Sequence, residues 1–64
     1  MKNTVKLLRK AAGLRQEDLA SALGVTRQTI IAIENDKYDP SLALAMKLAK
    51  LLHRPVEEIF LLEE

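Results

Sequence analysis

Apolar side chains recur along this chain at intervals of three and four, and a glycine, a proline or a short polar residue stands wherever the pattern breaks. That spacing puts the apolar groups on one face of an α-helix. It predicts five helices. The first runs from about Thr4 to Ala12, with Val5, Leu8 and Ala12 on its inner face, Leu7 and Ala11 beside them, Asn3 or Thr4 as N-cap and Gly13 as its stop. The second runs from Gln16 to Leu23 with Leu19, Ala20 and Leu23 inward, Glu17 and Asp18 in the first turn where the helix dipole favours acids, and Gly24 closing it. Arg15 stands at its N-cap, where Ser or Thr would be better. The third runs from Arg27 to Glu34, capped by Thr26 and anchored by Ile30 and Ile33.

Only Gly24-Val25-Thr26 separates the second helix from the third. Helices joined so tightly must turn sharply against each other. Gly24 supplies the positive φ of that turn, Val25 plugs the corner, and Ala20 is small enough for the two helices to lie close. Arg27, Gln28, Ile31 and Ala32 are left on the outer face of the third helix. Ile31 there is either a partner surface or simple core packing.

Asn35 to Pro40 is rich in turn formers and is predicted to be a loop. Ser41 caps a fourth helix, about Leu42 to His53, with Leu44, Leu48, Leu51 and Leu52 toward the core and Ala43, Ala45 and Ala49 permitting close approach. Met46 is filler of core or interface, and His53 is a partner for the helix dipole rather than a ligand. Pro55 starts a short fifth helix through about Ile59. Ile59, Phe60, Leu61 and Leu62 then form an apolar run that suits an interface. A short strand around Phe60–Leu62 is expected, paired with residues near Met1–Asn3 or with its own copy; the alternative is a tail folded onto its own core.

Composition narrows the functional classes. Sixty-four residues hold one domain over 1–64, with the helix-turn-helix at about 16–34 and a dimerisation segment at about 55–64. No second domain is expected to sense a ligand. Without cysteine, and with His53 as the one histidine, a disulfide framework or a Cys/His metal site is not available. No cofactor, metal or small-molecule ligand is expected. Nor is an enzyme, since no nucleophile constellation, acid/base pair or glycine-rich phosphate loop stands out. No apolar run reaches the roughly 20 residues of a membrane span, so a soluble, cytoplasmic protein is expected. A chain this short buries only about 60% of its unfolded surface, which favours tight packing and association with a second copy. Net charge is +1, but it is unevenly spread. Residues 1–37 carry seven basic and four acidic groups, and residues 38–64 carry three and five. A basic end and an acidic end can orient a molecule on a polyanion.

Several segments together resemble the Cro/C1-type, or Xre-like, helix-turn-helix family, in its short stand-alone branch: Gly13-Leu14, Gln16-Glu17-Asp18-Leu19-Ala20, Leu23-Gly24-Val25-Thr26, Arg27-Gln28-Thr29-Ile30, Ile33-Glu34-Asn35, Lys37-Tyr38-Asp39-Pro40-Ser41 and Glu57-Glu58-Ile59-Phe60. The resemblance implies an all-α, five-helix, lambda-repressor-like domain whose third helix enters the major groove. By position it makes Arg27, Gln28, Ile31 and Ala32 the base-reading candidates. Their chemistry fits: Arg reads guanine and Gln reads adenine with paired hydrogen bonds, and Ile and Ala can touch thymine methyls. It makes Gln16 a phosphate-binding glutamine, with Arg15, Thr26, Thr29, Asn35, Lys37 and Tyr38 as further phosphate candidates. It pairs Arg9 with Glu34 as a structural ion pair that holds the third helix at its angle. Asp36 departs from the family, which commonly has Gly there, and this puts the local turn in question. The implied partners are double-stranded DNA, as a near-palindromic operator, and a second copy of the chain bound through Ile59–Leu62. The implied activity is transcriptional regulation, by repression. An antitoxin-like autoregulator and a protein-interaction module are the alternatives.

Overall fold

A computed structural model describes residues 1–62; Glu63 and Glu64, part of the expected dimerisation segment, lie outside the described residues. The elements in chain order are β1 (Lys2–Asn3), α1 (Val5–Ala11), α2 (Gln16–Leu23), α3 (Arg27–Glu34), α4 (Leu42–Leu52), α5 (Val56–Ile59) and β2 (Phe60–Leu61). Five helices pack around one cluster, and the two short strands pair antiparallel, Lys2 opposite Leu61 and Asn3 opposite Phe60. Of the two partners expected for the C-terminal strand, it takes the N-terminal residues of its own chain.

Each helix except α5 ends in a residue with positive φ: Gly13, Gly24, Asp36 and His53. In each case the next residue returns its N–H to a carbonyl five positions earlier: Leu14 to Arg9, Val25 to Ala20, Lys37 to Ala32 and Arg54 to Ala49. This closure satisfies the last carbonyls of a helix and turns the chain back over it. Asp36 therefore makes the turn that Gly would make, at φ 58°. Its carboxylate accepts a hydrogen bond from the Asn3 side chain at 3.0 Å, and short polar residues tolerate this conformation best among non-glycines.

The core is made by Val5, Leu19, Ile30, Ile33, Leu48 and Ile59, all wholly buried, with Leu23, Leu44, Leu52 and Phe60 around them. Leu14, Val25, Leu51 and Val56 pack against it from the rim. Three expectations need correction. Ala12, with Leu7 and Ala11 beside it, is exposed, and so is Ala43, expected to permit close approach, because these helices present a narrower inner stripe than their alanine and leucine content suggests. Pro55 precedes α5 with extended backbone, ψ 153°, instead of opening it. Ile59 and Phe60 are buried in their own chain, so neither is free for a second copy; the pairing of β2 with β1 folds that end of the tail inward.

Candidate nucleic-acid interface

Placement of α3 starts from a buried charge network. Arg9 on α1 donates through Nε to Glu34 Oε2 at 2.7 Å and through Nη2 to Glu34 Oε1 at 3.3 Å. Its Nη1 donates to the Leu14 carbonyl at 2.7 Å. Gln16, the first residue of α2, donates through Nε2 to Glu34 Oε1 at 3.0 Å. The Arg9 and Glu34 side chains are only 7% and 2% exposed. Burial pushes the Glu34 carboxyl up, but hydrogen bonds from Arg9 and Gln16, with the charges of Arg9 and Lys6, outweigh it and hold the group below the ordinary glutamate range. Three elements thus meet on one carboxylate: the body of α1, the start of α2 and the end of α3.

The start of α3 is set by Thr26, whose Oγ1 accepts from the Thr29 N–H at 3.3 Å and lies 3.1 Å from the Thr29 hydroxyl. With Ile30 and Ile33 buried, the opposite side of α3 faces out. Arg27 and Gln28 are exposed at its N-terminal end, and Ile31 and Ala32 are half-buried behind them. An open groove beside Arg27 is lined by Leu14, Arg15, Gln16 and Glu17 at the start of α2, with Arg9 at its base. Past the other end of α3, Asn35, Lys37 and Tyr38 are exposed on the loop.

Besides Thr26 and Thr29, two more of the expected phosphate residues have intramolecular partners. One N–H of Gln16 is committed to Glu34, and the second hydrogen of that amide remains for a ligand. Arg15, 74% exposed, lies 3.0 Å from Glu17 and 3.2 Å from Asp18. A guanidinium has no acceptor and cannot cap a helix itself. Asp18 instead supplies the other half of a capping box, accepting from the Arg15 backbone N–H at 2.8 Å, and its own N–H donates to the Arg15 carbonyl. The hydrogen bond from the Arg15 side chain, then that from its backbone, keeps Asp18 below the ordinary aspartate range.

Asn3, Lys6 and Lys10 had no place among the expected site residues. Lys6 and Lys10 flank a second groove on the α1 side of Glu34, with Asn3, Thr4 and Leu7. Their spacing of four on one helix was the available signal. For Asn3 the signal was its capping chemistry: Thr4 holds the N-cap position of α1 without a side-chain cap bond, and Asn3 just before it accepts from the Val5 N–H at 3.1 Å.

A helix-turn-helix family model matches residues 5–59. The chain belongs to the Cro/C1-type helix-turn-helix family. An uncharacterised HTH-type transcriptional regulator of Methanocaldococcus jannaschii is 58% identical over 64 residues, covering 100% of this chain and 97% of the relative. The similarly described YgzD of Bacillus subtilis is 52% identical with the same coverage. Among solved structures, the restriction-modification controller protein C.AhdI of Aeromonas hydrophila superposes with a TM-score of 0.78 at 36% identity, covering 88% of this chain and 85% of that one. This Cro/C1-type chain is thus a member of a family of DNA-binding transcriptional regulators. In this regulator no helix among the described residues is long and apolar enough to cross a membrane.

Proposed function

We propose that this regulator binds a near-palindromic operator as a homodimer and represses transcription by occupying it. The observation that carries the reading is the exposure of Arg27 and Gln28 at the N-terminal end of a helix whose other face is locked into the core by Ile30 and Ile33. Both side chains can make the paired hydrogen bonds that tell one base from another in the major groove. Ile31 and Ala32 supply apolar contact behind them. Gln16 and Arg15 grip the backbone from one side, Thr26 and Thr29 from the turn, and Asn35, Lys37 and Tyr38 from the other side.

The dimer is supported by an apolar surface away from α3. Leu62 is 78% exposed and Leu42 is 74% exposed, with Met46, Leu61 and Met1 also largely open. Two shallow apolar depressions lined by Met1, Val56, Phe60, Leu62, Leu42 and Ala45 lie between them. So large a set of open apolar groups on a small domain marks an interface. Of the four residues expected there, Leu61 and Leu62 serve, and Leu42 and Met46 join them. A two-fold dimer sets equivalent helices about 34 Å apart, one turn of B-DNA. The chain's extents of 32 × 22 × 20 Å suit that spacing. Selection of bound duplexes from random DNA tests the whole reading. The expected outcome is an inverted repeat with half-sites about one helical turn apart. Recovery of no enriched site, or of an asymmetric one, overturns it.

A further inference from the structure

We infer that Asn3 is a positioning residue for the loop that leaves the recognition helix, tying that loop to the terminal strand pair. The inference rests on the proposed DNA contacts of Lys37 and Tyr38 for its functional consequence. Its structural part stands apart from them.

Asn3 makes the connections to α3 and α1, and Thr4 beside it adds two to the C-terminal segment. The Asn3 Nδ2 donates to the Ile33 carbonyl at 2.8 Å and to Asp36 Oδ1 at 3.0 Å. Its Oδ1 accepts from the Val5 N–H at 3.1 Å. Its backbone stands opposite Phe60 in the strand pair. On its other side, the Thr4 N–H donates to the Ile59 carbonyl and the Thr4 hydroxyl to the Glu58 carbonyl, both at 2.8 Å. The N-terminal strand is therefore fixed to the C-terminal segment, and Asn3 reaches from it across to the end of α3.

What Asn3 holds there is a turn under strain. Asp36 sits at φ 58°, a conformation that L side chains rarely adopt, and Lys37 closes the helix by donating to the Ala32 carbonyl at 2.9 Å. A glycine would hold this turn unaided. With aspartate, the hydrogen bond from Asn3 to the Asp36 carboxylate stabilises the strained residue and fixes where the next two side chains emerge. Those are Lys37 and Tyr38, which are exposed and next to α3. The two departures from the simplest design thus compensate: Asp in place of Gly, and a donor brought from the other end of the chain.

The substitution Asn3→Asp isolates this role. A carboxylate at position 3 still accepts from the Val5 N–H, so the α1 cap survives. It cannot donate to Ile33, and it repels Asp36. The exchange of partners Asn3→Asp with Asp36→Asn returns a donor–acceptor pair between the same positions at unchanged net charge. Amide hydrogen exchange on the free protein is the first measurement. The Lys37 amide should exchange about tenfold or more faster in Asn3→Asp, which loses both hydrogen bonds from Asn3 to the end of α3, while the amides of Leu19 and Leu23 in α2 keep their wild-type rates. The second measurement is binding to the selected operator. Affinity should fall about tenfold with discrimination at the bases read by Arg27 and Gln28 unchanged. Both effects should reverse in part in the exchanged pair, which rebuilds the bond between positions 3 and 36 but not the donation to the Ile33 carbonyl.

The inference is overturned if Lys37 keeps its protection in Asn3→Asp, if α2 loses protection equally, or if the exchanged pair recovers none of the Lys37 protection. Altered exchange with no binding of any duplex by the wild type would uphold the clamp and remove the DNA reading instead. Altered exchange with unaltered affinity, in a wild type that does bind, would remove the functional half of the inference.

Discussion

His53 and Asp36 occupy the same unfavourable region of backbone space for different reasons. Asp36 has its carboxylate bound by Asn3, whereas the His53 side chain is exposed at the end of α4. A left-handed L residue costs about 1–2 kcal/mol relative to glycine. His53→Gly should therefore raise the midpoint of urea unfolding by the equivalent of about 1 kcal/mol at constant m. Asp36→Gly relieves the same strain but forfeits the Asn3 hydrogen bond, and should gain distinctly less. Glu34 is the other residue with a calculable signature. Its carboxyl is held below the ordinary range in the folded chain. Its contribution is thus complete above the unfolded glutamate value of about 4.3 and is lost as pH falls through the lower native value. Unfolding followed from pH 6 to pH 2 should show a steep acid limb that is shallower in Glu34→Gln. Glu34→Ala, which strands buried Arg9, should cost about 3–5 kcal/mol.

Among the elements, α3 is set from both ends, by the Thr26 cap and by the Arg9–Glu34–Gln16 network, and only then presents its outer face. This division separates two kinds of variant. Gln28→Ala should lose about 1–3 kcal/mol of discrimination at one base position and leave the others alone. Lys37→Ala should weaken all duplexes alike and reduce the salt slope by about one. Titrations of both against matched and single-mismatch operators at several salt concentrations check the pair of outcomes. The element boundaries were legible because helix starts and stops here are written in residue chemistry: Thr26 and Ser41 stand where an N-cap belongs, and Gly13 and Gly24 where a helix ends. The function of Arg15 was less legible. Its residue type gives no cap, and its bond from the backbone N–H to Asp18 is visible only once the first turn is built.

The apolar run at the C-terminus divides once the whole molecule is assembled. Ile59 and Phe60 belong to the core, and Leu61 and Leu62 to the surface. Substitutions should separate accordingly. Ile59→Ala removes a wholly buried side chain and should cost about 2–5 kcal/mol of folding stability, a large share of what a domain of this size has. Leu62→Asp should leave the circular dichroism spectrum and unfolding of the monomer intact while shifting sedimentation toward the monomer and weakening operator binding. Leu42→Asp, far away in sequence but on the same apolar surface, should behave as Leu62→Asp does. If it associates normally, α4 is not part of the interface.

The sequence by itself determined the helices, their stops, the tight turn between α2 and α3 and the outward face of α3. All of these follow from local periodicity and from the conformational preferences of single residues. It also carried the family resemblance that pairs Arg9 with Glu34. Only the tertiary structure decided the partners of groups far apart in the chain. Gln16 shares the Glu34 carboxylate, β2 pairs with β1 rather than with a second copy, and Asn3 reaches the end of α3. Such contacts have no local signature. A hydrogen-bonding side chain announces that it needs a partner, and the packing of the core chooses which one it meets.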